Sequence, residues 1–221
     1  MSVLLAILWK DLVTEWRSRD RITAMLLFSL LVVVIFHFSL PGGATRQTQA
    51  SAPGLLWIAY IFAALLGLNR SFSLELENDA LAGIALSPVD RGWIFLGKTL
   101  ANWLILGAAQ LVTGAVFALV FEVDFTAIAL RLAAVVALGS LGICSVGTLF
   151  AAVAVRTRFR EVMLPLLLLP LLVPVLLGAV RATAGLLETG ELAFDAVQLL
   201  FVTAVTYLIV SWLVFDYVLD E

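Results

Sequence analysis

The sequence predicts an all-α integral membrane protein with six transmembrane helices, an amphipathic helix before them and a short cytoplasmic helix between spans two and three. The chain is 63% hydrophobic and 13% charged, whereas a soluble globular domain has roughly 45–50% apolar and 25% charged residues. The charged residues form a few clusters, separated by apolar stretches of about 20 residues, the length that crosses a bilayer. Composition therefore excludes a soluble enzyme and predicts one transmembrane domain over residues 1–221.

Each predicted span is an apolar run bounded by charged or turn-forming residues. The six runs are 22–40, 54–68, 99–121, 132–155, 163–180 and 196–215. The second run is short for about 30 Å of hydrocarbon. We therefore expect this helix to extend beyond one end of the run or to tilt little.

The basic residues predict the orientation of the spans. Ten of the 13 Lys and Arg residues lie before the first span, between spans two and three, or between spans four and five. The other three are Arg46, Arg131 and Arg181. Because Lys and Arg in short loops stay on the cytoplasmic side, both termini are predicted to be cytoplasmic.

Residues 1–21 have the pattern of an amphipathic helix at the cytoplasmic interface. Apolar residues recur at intervals of mostly three and four, as in a helix with one apolar face. Its polar candidates are Lys10, Asp11, Glu15 and Arg17. One interpretation is a simple membrane anchor. The other is a connecting elbow between a cytosolic partner and the first span, which the mixed signs of these charges favour.

The cytoplasmic loop over residues 69–98 contains a second short helical pattern. Acidic residues come first, apolar residues follow, and a proline ends the segment, as at a helix with an acidic first turn. The candidate residues for contact with a partner are Glu75, Glu77, Asp79, Leu81, Leu86, Pro88 and Arg91. We predict a compact helix that receives force from a soluble protein, the alternative being a solvated loop.

The same loop ends in a sequence that matches a phosphate-binding loop. Residues 92–99 read G-W-I-F-L-G-K-T, which satisfies the pattern G-x-x-x-x-G-K-[ST]. A phosphate loop follows a buried strand and curls its backbone N–H groups around the phosphates. Here the middle positions are bulky and apolar, and no strand pattern precedes them. We interpret the match as accidental and Lys98 as the cytoplasmic end of the third span.

Three prolines divide the fifth span. Pro165, Pro170 and Pro174 lie in an apolar run that follows a basic segment. Each removes a backbone donor and bends a helix, and their spacing of about one turn places the distortions near one face. We predict a broken helix that acts as a hinge, the alternative being a purely structural role.

Polar residues inside the spans show no catalytic or metal-binding pattern. Cys144 is the single cysteine and is predicted to be a packing residue, and His37 is the single histidine. The segment around Cys144 misses the spacing of a hydrolase nucleophile elbow by one residue. We predict no catalytic residue and no metal site.

Several short motifs, in order along the chain, together carry a family resemblance. They are residues 52–57 (APGLLW), 68–72 (LNRSF), 79–81 (DAL), 86–91 (LSPVDR), 97–98 (GK) and 164–174 (LPLLLLPLLVP). With this order and spacing, the chain resembles the CcmB family, haem exporter protein B. The resemblance implies an ABC-2 exporter-like fold and a non-catalytic permease subunit of a cytochrome c maturation transporter in the bacterial inner membrane.

The resemblance also implies partners. The ATP-binding subunit would be a separate ATPase, CcmA, and the complex would contain two copies of each of these subunits together with CcmC and CcmD. ATP hydrolysis would drive haem delivery or release of the haem-loaded chaperone CcmE, and none of these partners is a nucleic acid. By position, residues 75–91 resemble the coupling helix, and residues 10–21 the connecting helix.

Two other functions agree with the same pattern of spans, charges and loops. One is the permease of another ABC-2 type exporter, for lipid, polysaccharide or drug, and the other is a passive membrane scaffold. No cofactor is predicted in this chain itself, since ATP would be bound by the partner and haem handled by the complex. Haem usually takes His, Met, Cys or Tyr as an axial ligand, and we expect the chain alone to bind no stoichiometric haem.

Overall fold

The computed structural model describes residues 3–40, 46–72, 90–154 and 160–218. Within these ranges the chain is helical and contains no β-strand. The α-helices are α1 (Val3–Ser18), α2 (Asp20–Ser39), α3 (Arg46–Asn69), α4 (Arg91–Val120), α5 (Ala129–Ala154), α6 (Arg160–Thr189) and α7 (Phe194–Val218), with a 3-10 turn at Thr126–Ile128.

Six of these helices, α2 to α7, are long and apolar enough to cross a membrane. They coincide with the six predicted runs, which confirms the fold class and makes the chain a multi-pass membrane protein. α3 has 24 residues, against 15 in its predicted run, because it continues at its N-terminal end. The prediction that this helix extends beyond one end of the run is therefore confirmed.

α4 is the central helix of the bundle. It contacts α1, α2, α3, α5 and α7, and so its buried face meets several neighbours. Two side chains on this face, Gln110 and Thr113, make hydrogen bonds to neighbouring helices: Ser140 Oγ donates to Gln110 Oε1 at 2.7 Å, and Thr113 Oγ1 pairs with Ser29 Oγ at 2.8 Å. These bonds give partners to side-chain oxygen atoms that would be costly to bury in hydrocarbon without a hydrogen bond.

Small residues let the helices approach closely. Gly139 of α5 faces the buried ring of Trp57 in α3, and a Cβ at this glycine would lie 2.4 Å from Cη2 of the ring. Gly147, two turns further along α5, meets Leu68 in the same way. In membranes such close packing replaces the hydrophobic driving force between helices. The glycines of α5 therefore determine how near α3 lies.

The outer surface of the bundle is apolar. On α6, Leu166, Leu169, Val173 and Leu177 are exposed and lie on one face of the helix. Similar exposed residues occur on α2 and α7. In water such stripes would form large apolar patches, whereas in a bilayer they face the lipid chains.

The fifth span is continuous, so the prediction of a broken helix is wrong. α6 runs from Arg160 to Thr189 with Pro165, Pro170 and Pro174 inside it. A proline removes its own N–H, but neighbouring helices can supply donors to the carbonyl groups left over. In this bundle the hydroxyl of Tyr207, on α7, donates to the carbonyl of Leu171, next to Pro170, whose own carbonyl is the one that Pro174 leaves without a helical donor. The proposed hinge role of the three prolines stays a prediction.

The packing of Gly139 leads to a stability prediction. Gly139→Ala should lower the melting temperature of the detergent-solubilised protein, because the new methyl group overlaps the rigid Trp57 ring and such overpacking costs about 1–3 kcal/mol. The matched control is Gly107→Ala, since a Cβ there meets nothing within 4 Å. Alanine favours a helix over glycine by about 1 kcal/mol, so the control should keep or raise stability. Equal changes in melting temperature would contradict this packing role.

Candidate functional site

The predicted site residues fall partly within the described ranges. Lys10, Asp11, Glu15 and Arg17 lie on α1, and Arg91 begins α4. The remaining candidates for contact with a partner lie outside the described residues: Glu75, Glu77, Asp79, Leu81, Leu86 and Pro88. The described candidates other than the prolines lie at one end of the bundle. This end also contains Arg21, Arg70, Arg91 and Lys98, and it is here called the basic end.

α1 is the predicted N-terminal helix and packs across α4. Gly97 of α4 makes the approach possible, because a Cβ there would lie only 3.1 Å from Cβ of Ile7 and 3.2 Å from the carbonyl of Leu4. The opposite face of α1 is open, with Trp9 66% and Trp16 77% exposed. Exposed tryptophans of this kind are typical of the membrane–water interface. α1 therefore has one face on α4 and another with the composition of an interfacial anchor.

A one-residue joint connects α1 to the first span. Arg19 adopts a left-handed conformation with φ 58°, and α2 starts directly afterwards at Asp20. The Glu15 carboxylate, from the last turns of α1, accepts a hydrogen bond from the backbone N–H of Ile22 at 2.8 Å. A carboxylate at a helix N-terminus satisfies a free donor and complements the helix dipole. Glu15 thus fixes the angle between α1 and α2.

Lys98 is buried at the junction of α1, α3 and α4. Its side chain is 2% exposed, and its ammonium lies 3.0 Å from Oδ2 of Asp11. The same ammonium donates to the carbonyl of Ser71 at 3.2 Å and lies 5.0 Å from the centre of the Phe72 ring. The other carboxylate oxygen of Asp11 is 3.2 Å from the more exposed Lys10. One buried cation therefore joins α1 to the residues that follow α3.

Asn102, one turn after Lys98, is the centre of a second polar cluster. Its Oδ1 accepts from the Arg21 guanidinium at 2.8 Å and from the Ser71 hydroxyl at 2.9 Å. Its Nδ2 donates to Oγ1 of Thr148 at 2.8 Å. The amide thus links α2, the end of α3, and α5 to α4, and Ser71 belongs to both clusters.

The segment that matches a phosphate-binding loop is part of a helix. Residues 92–99 lie within α4, which Asp90 caps by accepting a hydrogen bond from the N–H of Gly92 at 2.8 Å. Their backbone donors are therefore not arranged in a loop around a phosphate, and Lys98 is engaged with Asp11. The predicted loop over residues 69–98 is also too long, because the Asp90 cap lets the helix start at Arg91.

The end of the last span also lies at the basic end. The Arg91 guanidinium donates to the carbonyl of Asp216 at 2.9 Å, and Gly92 lies against the indole nitrogen of Trp212. α1, the start of α4 and the end of α7 are therefore on one side of the bundle. The cytoplasmic location of both termini stays a prediction.

The opposite end carries the single histidine and the acidic loops. His37 is exposed near the end of α2, and its ring meets that of Phe121 edge-on with 5.9 Å between the centres. In the loop after α4, the side-chain and backbone donors of Thr126 hold the pKa of Asp124 below its usual range. Among the described residues, no group of three or more His, Cys, Asp or Glu side chains could hold a metal ion.

The interior near Asn102 leaves no room for a ligand. A narrow void there is bordered by Met25, Leu106 and Cys144, among others, and does not admit a water molecule. Cys144 is fully buried and fills space between helices, as predicted for a packing residue. The basic end is therefore a set of closely packed helices, and the described interior around Asn102 has no space for a ligand.

Sequence motifs do not predict the polar cluster around Asn102, since none of Asn102, Arg21 and Ser71 is among the predicted site residues. One signal was present: Lys98 and Asn102 are four residues apart, and so they lie on the same face of a helix. A cation and an amide on one buried face indicate that polar partners lie on neighbouring helices.

Asn102→Leu should destabilise the protein more than loss of an ordinary side-chain bond. The substitution removes the acceptor of Arg21 and Ser71 and the donor to Thr148, and each buried group left without its partner costs about 1–3 kcal/mol. The matched control is Ser145→Ala, because the hydroxyl of Ser145 donates to the Leu141 carbonyl of its own helix. Thermal unfolding in detergent measures both, and equal losses would contradict the role of Asn102 as a link between helices.

Comparison with known proteins places the chain in a family. A family model described as CcmB protein matches residues 2–217. Heme exporter protein B of Pseudomonas aeruginosa is 32% identical over 77% of this chain and 78% of its own length. The proteins of the same name from Paracoccus denitrificans and Rhodobacter capsulatus are 31% and 30% identical, over 91% and 94% of this chain and 90% and 94% of their own lengths. The chain therefore belongs to the CcmB protein family.

Proposed function

We propose that this chain is the membrane permease of an ABC transporter that serves cytochrome c maturation. A separate ATPase, CcmA in this family, supplies the energy for haem delivery or for release of the haem-loaded chaperone CcmE. The name heme exporter protein B, carried by relatives that align along most of their length, supports haem as the group handled. The permease itself is not an enzyme.

The observation that carries this proposal is the interlocked basic end. Ser71 and Phe72 are held by Lys98 and Asn102, and Asp90 and Arg91 are held by the α4 cap and by α7. The described residues that flank positions 73–89 on each side are thus bonded to the transmembrane helices. A push from a bound protein that reaches these flanking residues would be transmitted into the bundle, as expected beside a coupling helix.

The basic end also indicates which end of the bundle faces the cytoplasm. Arg21, Arg70, Arg91 and Lys98 are close to one end of the bundle, which the positive-inside rule assigns to the cytoplasm. α1 and the end of α7 then lie on the cytoplasmic face of a bacterial inner membrane, where an ATPase has access to them. A second copy of the chain, together with CcmC and CcmD, completes the proposed complex.

Haem is handled outside this subunit in the proposed mechanism. His37 is exposed at the end away from the coupling elements, and the part of the interior that borders Met25 is too narrow for a water molecule. Haem proteins provide an axial ligand within a pocket. The chain therefore acts on the haem-carrying partners through movement, and ATP is bound by the ATPase.

A passive scaffold is the second candidate function. The continuity of α6 through its prolines favours it, because a scaffold needs docking surfaces and no moving helix. A transporter for a different substrate has the same physical features as the preferred function. The two experiments that follow separate a coupled permease from a scaffold.

Charge reversal in the loop and at Arg91, the first residue of α4, should uncouple ATP hydrolysis from cytochrome c production. We expect Glu75→Lys, Glu77→Lys and Arg91→Glu to lower cytochrome c about 5- to 150-fold, the usual range for loss of coupling between two sites. Co-purification with the ATPase, ATP turnover and haem-stained cytochrome c are measured together. The matched control is Glu191→Lys, an exposed acid in the loop before α7 at the opposite end. Normal cytochrome c and normal ATPase association in all three variants would overturn the proposal.

Substitution of the α6 prolines distinguishes a hinge from a structural feature. If α6 bends during transport, Pro170→Ala and Pro174→Ala should straighten and stiffen it, because each restores a helix donor. Cytochrome c production should then fall while the ATPase stays bound. The control is Val173→Ala on the same exposed face. Unchanged cytochrome c production in both proline variants would show that the prolines are structural.

A further inference from the structure

The ammonium of Lys98 contacts two elements that approach it from different parts of the chain. Asp11, 3.0 Å away, belongs to the amphipathic helix α1, and the Ser71 carbonyl, 3.2 Å away, belongs to the residues just before the loop. Phe72 adds its ring face to the same cation. Lys98 itself lies within α4, the helix at the centre of the bundle.

We propose that Lys98 is a positioning residue, which holds α1 and the start of the loop in a fixed relation so that displacement of the loop moves α1. This inference rests on the proposed function, since it names the side chain through which coupling passes. When a bound ATPase displaces the loop, the displacement reaches Ser71, then the Lys98 ammonium and the Asp11 carboxylate. From Asp11 it passes along α1 to the joint at Arg19.

The ion pair between Lys98 and Asp11 is rigid because it is buried. Lys98 is 2% exposed and the Asp11 side chain 12% exposed, so water screens their attraction weakly. Taking two charges out of water is expensive, and well-packed apolar residues are often at least as stable as a buried pair. Stability alone therefore does not account for a lysine at this position, whereas a requirement for fixed geometry does.

Neighbouring contacts restrict the direction of motion. Gly97 allows the α1 backbone to touch α4 beside the ion pair, so α1 has little freedom to move inward. Ser71 is held twice, through its carbonyl by Lys98 and through its hydroxyl by Asn102. Glu15 caps the N-terminus of α2. Motion that enters at Ser71 is thus directed to the joint between α1 and α2.

The first test measures the contact without any transport. In the purified full chain, Lys98→Met should raise amide hydrogen exchange about tenfold or more in α1 and around Ser71, because one member of a buried pair is lost. Lys10→Met removes the exposed partner of the same Asp11 and should leave this exchange nearly unchanged. Unchanged exchange in Lys98→Met would overturn the proposal.

The second test measures coupling in the complex with the ATPase. Lys98→Met and the nearly isosteric Asp11→Asn should lower cytochrome c per ATP hydrolysed about tenfold, with the ATPase still bound. Lys98→Arg keeps the cation and should retain most of the coupling. If Lys98→Met does not fold, Asp11→Asn decides, since it leaves Lys98 in place. Normal coupling in Asp11→Asn would refute the role of the pair.

A destabilised control separates positioning from general stability. Gly139→Ala disturbs the packing against Trp57, away from Lys98, so it should lower the melting temperature and leave cytochrome c per ATP hydrolysed nearly unchanged. Equal losses of coupling in Gly139→Ala and Asp11→Asn would overturn the positioning role. Normal coupling in the charge-reversed loop variants would instead count against the proposed function, so the two failures are distinguishable.

Discussion

A charge that is buried at the edge of a bilayer must find its partners within the protein, and this constraint organises the basic end of the bundle. The Lys98 ammonium has Asp11 and the Ser71 carbonyl within hydrogen-bonding distance, and each comes from a different element. Such a cation cannot be satisfied unless α1, α3 and α4 have all reached their places. The apolar packing beneath, with glycines against Trp57 and Leu68, brings α3 and α5 close enough for Asn102 to complete the polar layer.

The transmembrane architecture could be predicted from the sequence because it depends on run length. A bilayer requires about 20 apolar residues per helix, and the charges between the runs mark their ends. The amphipathic pattern of residues 1–21 was sufficient to predict α1, and Asp11 and Glu15 were already candidates on it. The N-terminus of α4 was misplaced, because a capping Asp90 extends the helix into a segment that resembles a loop.

The pairings within the site could not be predicted, because they depend on how helices are rotated against one another. Periodicity gives the faces of one helix, but the partner of Lys98 depends on α1 crossing α4 where Gly97 leaves room. The continuity of α6 could not be predicted for a similar reason. The prolines show which backbone donors are lost, whereas contacts such as that of the Tyr207 hydroxyl with the Leu171 carbonyl depend on a different helix.

The contact between Asp11 and Lys98 also has a consequence for the order of assembly during synthesis. Asp11 is synthesised before Lys98, which follows only after α2 and α3 have been made. Until α4 is inserted, α1 lacks its principal anchor within the protein. The exposed rings of Trp9 and Trp16 can hold the nascent helix at the lipid headgroups during this interval. The open face of α1 is therefore suited to an early attachment to the membrane, and the ion pair can form only after α4 is in place.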